Sequence, residues 1–312
     1  MTTPIFVFGI QRSGTTWLSN QISRHSQIAA VQSEDHLGLH ESAFYELLYN
    51  RYGDLSIKTN YVEFVEIASV SDYFQLAGID RNFLYSLWPT TYTEVFRVIM
   101  DDFATRSGAS HWLEKTPKHT LMMEFISKEF PNSVFIAVER NLQDYLASLM
   151  MLHRSTTQSF GKIERLTFVL RQTIRWSYYN RTIKNFSRTN SKPLLLITYE
   201  EMRKDIDNVM QRIADHIGIP FEKEMTEDLY PPNTSYKKSE KRENVLTDNE
   251  KRLADIVHLI SKLTPFTLIK VGANIFTRIK GRRDLQDWFF QMTRSTHVAD
   301  QPFSTDEIKD LH

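Results

Sequence analysis

A short segment rich in glycine, serine and threonine follows an apolar run close to the N-terminus and limits the folds open to this chain. Residues 4–8 are apolar and predict a buried strand, and residues 14–24 carry apolar side chains at helical spacing. Between them lies Gly9-Ile10-Gln11-Arg12-Ser13-Gly14-Thr15-Thr16, here called the glycine loop. A strand, a tight turn and a helix in this order are typical of a phosphate-binding α/β fold.

The glycine loop has the composition of an anion site. Glycine lets the backbone approach a phosphate closely, and the N-terminus of the following helix favours negative charge. The nucleotide-binding pattern G-x-x-x-x-G-K-[ST] matches in glycine spacing, but Thr15 stands where that pattern has lysine. Arg12 supplies a cation within the loop instead, which suits a ligand with one 5′-phosphate and a sulfate better than a magnesium triphosphate. A simple turn before a helix is the alternative.

Strands and helices alternate further along the chain. The pattern predicts strands over 134–138 and 194–197 and helices over 118–130, 142–153 and 162–187. Such alternation favours a parallel sheet. The predicted fold class is therefore α/β, with a central parallel sheet flanked by helices as in the P-loop nucleotide kinases, and with helical insertions.

Residues 1–312 are interpreted as one domain with two additions to the sheet. Residues 40–107 are mostly helical in pattern and rich in aromatic side chains, so this insertion forms either a helical core or an acceptor-binding cap over the site. Residues 226–245 are polar and predict a loop, with the basic pair Lys237 and Lys238. A helical extension is expected over about 247–312, with a loose tail.

Composition excludes several classes of function. Lys plus Arg and Asp plus Glu both number 38, so no general affinity for nucleic acid is expected. The chain contains no cysteine, which rules out disulfides, thiolate metal sites and cysteine nucleophiles. We expect no secretory signal and no integral membrane segment, because no apolar run is long enough for a membrane span and no basic segment precedes the first one. The expected location is the cytoplasm.

The loop residues Arg12-Ser13-Gly14-Thr15-Thr16 match the pattern [KR]-x-G-T-[TS] throughout. In this the chain resembles the sulfotransferases that depend on 3′-phosphoadenosine 5′-phosphosulfate (PAPS). Its motifs are most similar to those of the glycan O-sulfotransferases and the tyrosylprotein sulfotransferases. The resemblance implies that Arg12, Gly14 and the loop amides bind the 5′-phosphosulfate. Ser13, Thr15 and Thr16 would add hydroxyl contacts.

A second phosphate site is implied after the predicted strand 134–138. The family pattern places an arginine at this strand end and a serine eight residues later, and Arg140 and Ser148 have that spacing. An arginine fork pairs bidentately with phosphate oxygens, which suits the 3′-phosphate. By resemblance, Tyr199 contacts the adenine. Lys237 and Lys238 either close over the 3′-phosphate or belong to a solvated basic loop.

The segment Trp112-Leu113-Glu114-Lys115-Thr116-Pro117-Lys118-His119 resembles the family's E-K-x-P motif. The family's catalytic lysine falls on Lys115, a compact cation that can stabilise the leaving oxygen. Small-molecule members use a histidine as general base at the position of Pro117. Members acting on glycans or tyrosine use a glutamate instead, and the matching residue is Glu34 in Ser33-Glu34-Asp35-His36. His36 would orient Glu34 or touch the acceptor.

These motifs predict an enzyme that transfers a sulfuryl group in line from PAPS, as co-substrate, to a hydroxyl or amine acceptor. The carboxylate base favours a carbohydrate or another large acceptor, and a small-molecule acceptor stays open. No metal is expected, although His36 and His40 are four residues apart and could bind zinc on a helix. Two other classes remain open: a magnesium-dependent kinase or NTPase with a degenerate loop, and a non-catalytic nucleotide-binding protein.

Overall fold

The strand that precedes the glycine loop lies at the centre of a five-stranded parallel sheet in a computed structural model of the chain. The structure describes residues 2–34, 38–156, 161–227 and 245–271. The sheet strands are β1 (Thr3–Gly9), β2 (Ile28–Ala30), β5 (His111–Glu114), β6 (Val134–Glu139) and β7 (Leu194–Thr198), in the spatial order β2-β5-β1-β6-β7. Every pairing in this sheet is parallel, which confirms the predicted fold class.

Two further strands, β3 (Gln32–Ser33) and β4 (Gly38–Leu39), pair as an antiparallel ribbon. The α-helices of the described residues are α1 (Thr15–Ile22), α2 (Phe44–Leu47), α3 (Lys58–Ala68), α4 (Asp72–Leu76), α5 (Arg81–Ser86), α6 (Tyr92–Arg106), α7 (Met123–Glu129), α8 (Leu142–Thr156), α9 (Lys162–Thr189), α10 (Tyr199–Lys204), α11 (Ile206–Ile217) and α12 (Asp248–Leu263). Short 3₁₀ helices span Pro117–Met122 and Lys223–Thr226.

Both faces of the sheet are covered, because side chains alternate between the faces along each strand. On β1, Phe6 and Phe8 belong to the apolar cluster that the helices of 40–107 complete. Ile5 and Val7 point into the opposite cluster, which includes side chains of α1 and α11. The strand that leads into the glycine loop is therefore held rigidly from both sides.

The aromatic side chains of residues 40–107 form core. Eight of them are buried together: Phe44, Tyr45, Tyr61, Phe64, Tyr73, Phe74, Tyr92 and Phe96. They pack in the same cluster as Trp112 of β5 and Phe135 of β6. These contacts show that the buried aromatic side chains belong to the core, and the acceptor-binding role of the segment stays a prediction.

Several elements differ from the sequence-based expectation. Residues 118–130 do not form one helix: a 3₁₀ turn over Pro117–Met122 precedes α7, and the backbone at Met122 departs from helical values. Thr120, inside the 3₁₀ turn, accepts a hydrogen bond from the Gly9 backbone N–H at 2.9 Å. This tie to the end of β1 holds the segment against the sheet. Strands β2 and β5 escaped prediction because three or four residues are too few to show a period.

The remaining strands and long helices agree with prediction to within a few residues. Helix α9 (Lys162–Thr189) covers the predicted 162–187, and α12 begins at the start of the predicted C-terminal extension. His36, Lys237 and Lys238 lie outside the described residues, as does the extension beyond residue 271. Across the described ranges, no helix combines the length and apolar character needed to cross a bilayer.

Candidate active site

The glycine loop is a tight turn between β1 and α1, with two residues in left-handed conformations. Arg12 has a φ of 68° and Gly14 a φ of 102°, and Gly14 is the N-cap of α1. The Ser13 hydroxyl donates to the Ile10 carbonyl at 2.6 Å, which closes the turn. Positive φ is uncommon for arginine, so the surrounding contacts must hold the loop in this shape.

Close packing beneath the loop explains its glycine at the end of β1. A Cβ on Gly9 would lie 2.7 Å from the Thr15 side chain and 2.8 Å from the Val138 carbonyl. Because Val138 belongs to β6, the loop rests directly on the neighbouring strand. The first turn of α1 therefore starts at the carboxyl edge of the sheet, where helix N–H groups form an anion site.

The predicted second phosphate site adjoins this loop in the structure. Arg140, which follows β6, donates from Nη1 to the Arg12 carbonyl at 2.8 Å. The Arg12 Nε lies 3.4 Å from the hydroxyl of Ser148 on α8. Arg140 and Ser148 are 4% and 1% exposed, so their polar groups are set within the protein. Arg140 and Ser148 follow Arg12 by 128 and 136 positions in the sequence. In the structure the three side chains form one basic cluster.

Tyr199 completes the cluster from the next strand. It is the first residue of α10 and not the last residue of β7, which ends at Thr198. Its ring lies 4.1 Å from the Arg140 guanidinium carbon, in cation–π geometry. The same ring covers Gly14, where a Cβ would approach a ring carbon to 2.6 Å. Tyr199 therefore fixes both the loop and the arginine.

Lys115 lies on the other side of the glycine loop, directly after β5. Its side chain is 1% exposed, and Nζ donates to the Thr16 hydroxyl at 3.2 Å. Nζ also pairs with the Glu41 carboxylate at 2.5 Å. Glu41 is 31% exposed, whereas the lysine is enclosed. A buried ammonium at the start of α1 can stabilise negative charge that develops on a ligand there.

A second carboxylate, Glu114, is buried immediately beside Lys115. It accepts hydrogen bonds from Ser42 and Thr116, both at 2.7 Å, and from His119 at 2.9 Å. Burial alone would raise the pKa of Glu114, but His119 and the two hydroxyls more than offset this and lower the pKa below its usual value. Glu114 is therefore ionised at neutral pH.

Glu34, the sequence-predicted base, is exposed in the turn between β3 and β4. Within the described residues, no hydrogen bond or ion pair joins it to the Arg12–Arg140 cluster or to Lys115. Residues 35–37, which follow it, lie outside the described residues. Its role stays a prediction.

The remaining predicted residues come together at the carboxyl edge of β1, β5, β6 and β7. They are Arg12, Ser13, Gly14, Thr15, Thr16, Lys115, Arg140, Ser148 and Tyr199. In the part of the chain that the structure describes, no group of three His, Cys, Asp or Glu side chains is arranged to hold a metal ion.

Sequence reasoning missed the part that four residues play in this site. It gave Glu41 no role, and Glu114 and His119 appeared only as parts of the lysine motif. Arg175 of α9 donates to the Gln11 side chain at 3.2 Å and so approaches the loop from a helix that gave no site signal. An arginine in the middle of a long helix carries no local pattern that could have revealed this contact.

Comparison with known families agrees with this geometry. The model of a family described as the sulfotransferase family matches residues 4–223, which spans the glycine loop, Lys115, Arg140, Ser148 and Tyr199. This chain belongs to the sulfotransferase family, whose members transfer a sulfuryl group. Comparison with curated proteins finds no match.

Solved structures of sulfotransferases show distant similarity to this chain. The sulfotransferase domain of the Synechococcus PCC 7002 olefin synthase has 15% identity and a TM-score of 0.48, with 82% of this chain and 94% of that chain covered. Mouse sulfotransferase SULT7A1, complexed with PAP, has 15% identity and a TM-score of 0.46, covering 87% and 88%. Sulfotransferase STF1 from Mycobacterium tuberculosis H37Rv has 14% identity and a TM-score of 0.45, covering 86% and 76%.

Proposed function

We propose that this protein transfers a sulfuryl group in line from PAPS to a hydroxyl acceptor. The observation that carries the proposal is the convergence of Arg12, Arg140, Ser148 and Tyr199 on the glycine loop, with Lys115 enclosed beside it. A donor with two separate phosphate positions and an adenine needs two cationic sites and an aromatic surface. This cluster offers both within one edge of the sheet.

Donor binding divides between the two ends of the cluster. The loop amides, Arg12 and the hydroxyls of Thr15 and Thr16 hold the 5′-phosphosulfate. Arg140 and Ser148 hold the 3′-phosphate, because an enclosed guanidinium and a hydroxyl give directed hydrogen bonds to phosphate oxygens. These assignments follow the family motif and the burial of the two side chains.

The reaction forms one S–O bond and breaks another. The acceptor oxygen attacks sulfur, and the bond between sulfur and the bridging oxygen of the 5′-phosphate breaks, which leaves adenosine 3′,5′-bisphosphate. Lys115 stabilises the charge that develops on the bridging oxygen, aided by its enclosed position. Glu34 accepts the acceptor's proton in this proposal, with His36 orienting it or touching the acceptor.

For the acceptor, we propose only a chemical class. A carboxylate base, together with the exposed position of Glu34, suits a carbohydrate or another acceptor that enters from solvent. Among the described residues, Glu41 lies on this proposed acceptor side, partly exposed beside Lys115. No metal takes part in this scheme.

The decisive experiment is calorimetric titration with adenosine 3′,5′-bisphosphate, beside ATP with magnesium. We expect the bisphosphate to bind in the micromolar range and Arg140→Ala to weaken it at least tenfold, since hydrogen bonds to charged groups contribute about 1.5–3 kcal/mol. ATP with magnesium should bind far more weakly.

Arg97→Ala is the matched control for this experiment. Arg97 also lies over an aromatic ring, Phe130 at 5.1 Å, and donates to a backbone carbonyl, that of Glu129 at 2.6 Å. Neither contact involves the glycine loop, so the loss of Arg97 should leave bisphosphate affinity unchanged. Preference for magnesium ATP, or equal weakening by both variants, would refute the proposal.

A further inference from the structure

Three consecutive backbone N–H groups at the start of α2 each donate to a different side chain. Residue 43 donates to Thr116 Oγ1 at 3.0 Å, residue 44 to Ser42 Oγ at 3.3 Å, and residue 45 to His119 Nε2 at 3.2 Å. Two of these three acceptors come from the segment after β5, more than 70 residues away. The start of α2 is therefore positioned by that segment.

The same three side chains all donate to one buried carboxylate. Ser42 and Thr116 donate to Glu114 Oε1, and His119 donates from Nδ1 to Oε2. Because His119 Nε2 accepts from the backbone, the hydrogen-bond network assigns the ring proton to Nδ1. Glu114 is 1% exposed. Through these three side chains it holds the backbone N–H groups of residues 43, 44 and 45 in place.

This network is adjacent to the Glu41–Lys115 ion pair. Ser42 follows Glu41 in sequence, and Lys115 follows Glu114, so the ion pair and the Ser42–Glu114 hydrogen bond are neighbours along both segments. The backbone at residue 43 has a φ of 47°, which is uncommon for alanine and has to be held by its surroundings. A shift of residues 42–45 would carry Glu41 with it.

We propose that Glu114 is a positioning residue for sulfuryl transfer, whose carboxylate fixes residues 42–45 and thereby holds Glu41 against Lys115. The inference rests on the proposed function, in which Lys115 meets the transferring group. Glu114 touches no reacting atom in this scheme and acts only through its neighbours. Loss of such support matters because a displacement of about 1 Å near the reacting atoms can cost roughly 100-fold in rate.

Glu114→Gln breaks the network with a change of one atom. If the amide oxygen accepts from Ser42 and Thr116, the amide NH₂ faces the proton on His119 Nδ1. Moving that proton to Nε2 would set it against the N–H of residue 45. With the amide reversed, its oxygen accepts from His119 and its NH₂ donates to the two hydroxyls, whose own protons then lose the acceptor that Glu114 provides. Each arrangement leaves a buried donor opposed or without an acceptor.

The first test measures release of labelled sulfate from PAPS at saturating concentration, with water as the acceptor. We expect Glu114→Gln and Thr116→Val to slow release at least tenfold, while the Kd of adenosine 3′,5′-bisphosphate stays within threefold of wild type. Thr116→Ser keeps the relay hydroxyl and should retain the rate within twofold. A Glu114→Gln rate within twofold of wild type would overturn the inference.

Glu250→Gln is the matched control for loss of a buried carboxylate. Glu250 is 3% exposed, and its carboxylate pairs with Arg165 of α9 and the Thr247 N–H and not with the glycine loop. It should lower the urea midpoint of unfolding without slowing sulfate release. A parallel fall in release for Glu250→Gln and Glu114→Gln would assign the effect to stability alone and overturn the positioning role.

The second test does not depend on turnover. Urea unfolding of Glu41→Gln, Glu114→Gln and the double variant forms a mutant cycle. If Glu114 holds Glu41 against Lys115, the midpoint loss of the double variant is smaller than the sum of the single losses, whereas additive losses overturn the inference. Wild-type protein that neither binds the bisphosphate nor releases sulfate would refute the proposed function, and the cycle would still report on this contact.

Discussion

At Gly14, any other amino acid would place its Cβ in space that the Tyr199 ring occupies. The approach would be 2.6 Å, and the backbone φ of 102° adds strain for a residue with a side chain. The glycine thus serves two purposes, the tight turn and the close contact with the aromatic ring. Sequence reasoning identified the first of these but had no means of finding the second.

We expect Gly14→Ala to lower the free energy of unfolding by about 2–4 kcal/mol, from backbone strain and overpacking together. It should also weaken the binding of adenosine 3′,5′-bisphosphate at least tenfold, because the Tyr199 ring and Arg140 would shift. Urea unfolding and calorimetry measure the two effects.

Gly108→Ala provides the comparison for this variant. Gly108 also has a positive φ of 69°, but a Cβ there meets nothing within 4 Å. Gly108→Ala should lower the free energy of unfolding by about 1 kcal/mol and leave the bisphosphate affinity unchanged. Equal stability losses in the two variants would show that the Tyr199 contact is unimportant.

At the scale of elements, α12 is joined to α9 through Glu250. Its carboxylate pairs with Arg165 at 2.6 Å and also accepts from the Thr247 backbone at 2.8 Å as part of a capping box. Burial raises the pKa of Glu250, but the hydrogen bonds from Arg165 and Thr247 outweigh this and lower it. The folded protein therefore favours the ionised carboxylate more than the unfolded chain does.

Glu250→Gln should lower the free energy of unfolding by about 1–3 kcal/mol at pH 7, since it removes a charged partner from Arg165. A lowered folded-state pKa gives stability that is fully present above the unfolded pKa, about 4.3, and is lost as the pH falls through the folded pKa. The difference between wild type and variant should therefore shrink below about pH 4. Urea unfolding at several pH values measures it.

Glu94→Gln is the control for the capping contribution. Glu94 occupies the same position in the capping box of α6, but it is exposed. Its replacement should cost at most about 0.5 kcal/mol at any pH. A pH-independent loss for Glu250→Gln would contradict the ionic basis of the α9–α12 contact.

For the whole molecule, the packing of residues 40–107 against the sheet has a consequence for unfolding. Phe96 of α6 lies 5.9 Å from Trp112 of β5, and Phe44 of α2 stacks on Phe96 at 4.5 Å. The helices and the strands that carry the site thus share one aromatic cluster. The prediction that the chain forms one domain therefore requires their cooperative unfolding.

Phe96→Ala should lower the free energy of unfolding by about 3–5 kcal/mol, because it leaves a cavity at the centre of this cluster. Circular dichroism and loss of bisphosphate binding should report one coincident transition. Val98→Ala, at a 38% exposed position on the same helix, should cost less than about 1 kcal/mol. Separate transitions for the two probes would mean that residues 40–107 unfold independently.

Much of the site could be predicted because its signals are local. The glycine spacing, Arg12 and the apolar run before them predicted the loop, and buried strands followed by Arg140 and Tyr199 predicted where the other side chains gather. Parallel strands bring their carboxyl ends to one edge, so residues far apart in sequence meet there. The sequence-based fold class and family were confirmed on this basis.

The sequence by itself determined the strand–loop–helix unit, the alternation of the later strands and helices, and the motifs that contain Arg12, Lys115 and Arg140, since each depends on spacing within a few residues. Only the tertiary structure decided that Glu41 pairs with Lys115 across 74 positions and that Glu114 is enclosed by Ser42, Thr116 and His119. A carboxylate has the same local pattern whether it is exposed or buried. Its partners are set by long-range packing, which brings the start of α2 against the end of β5.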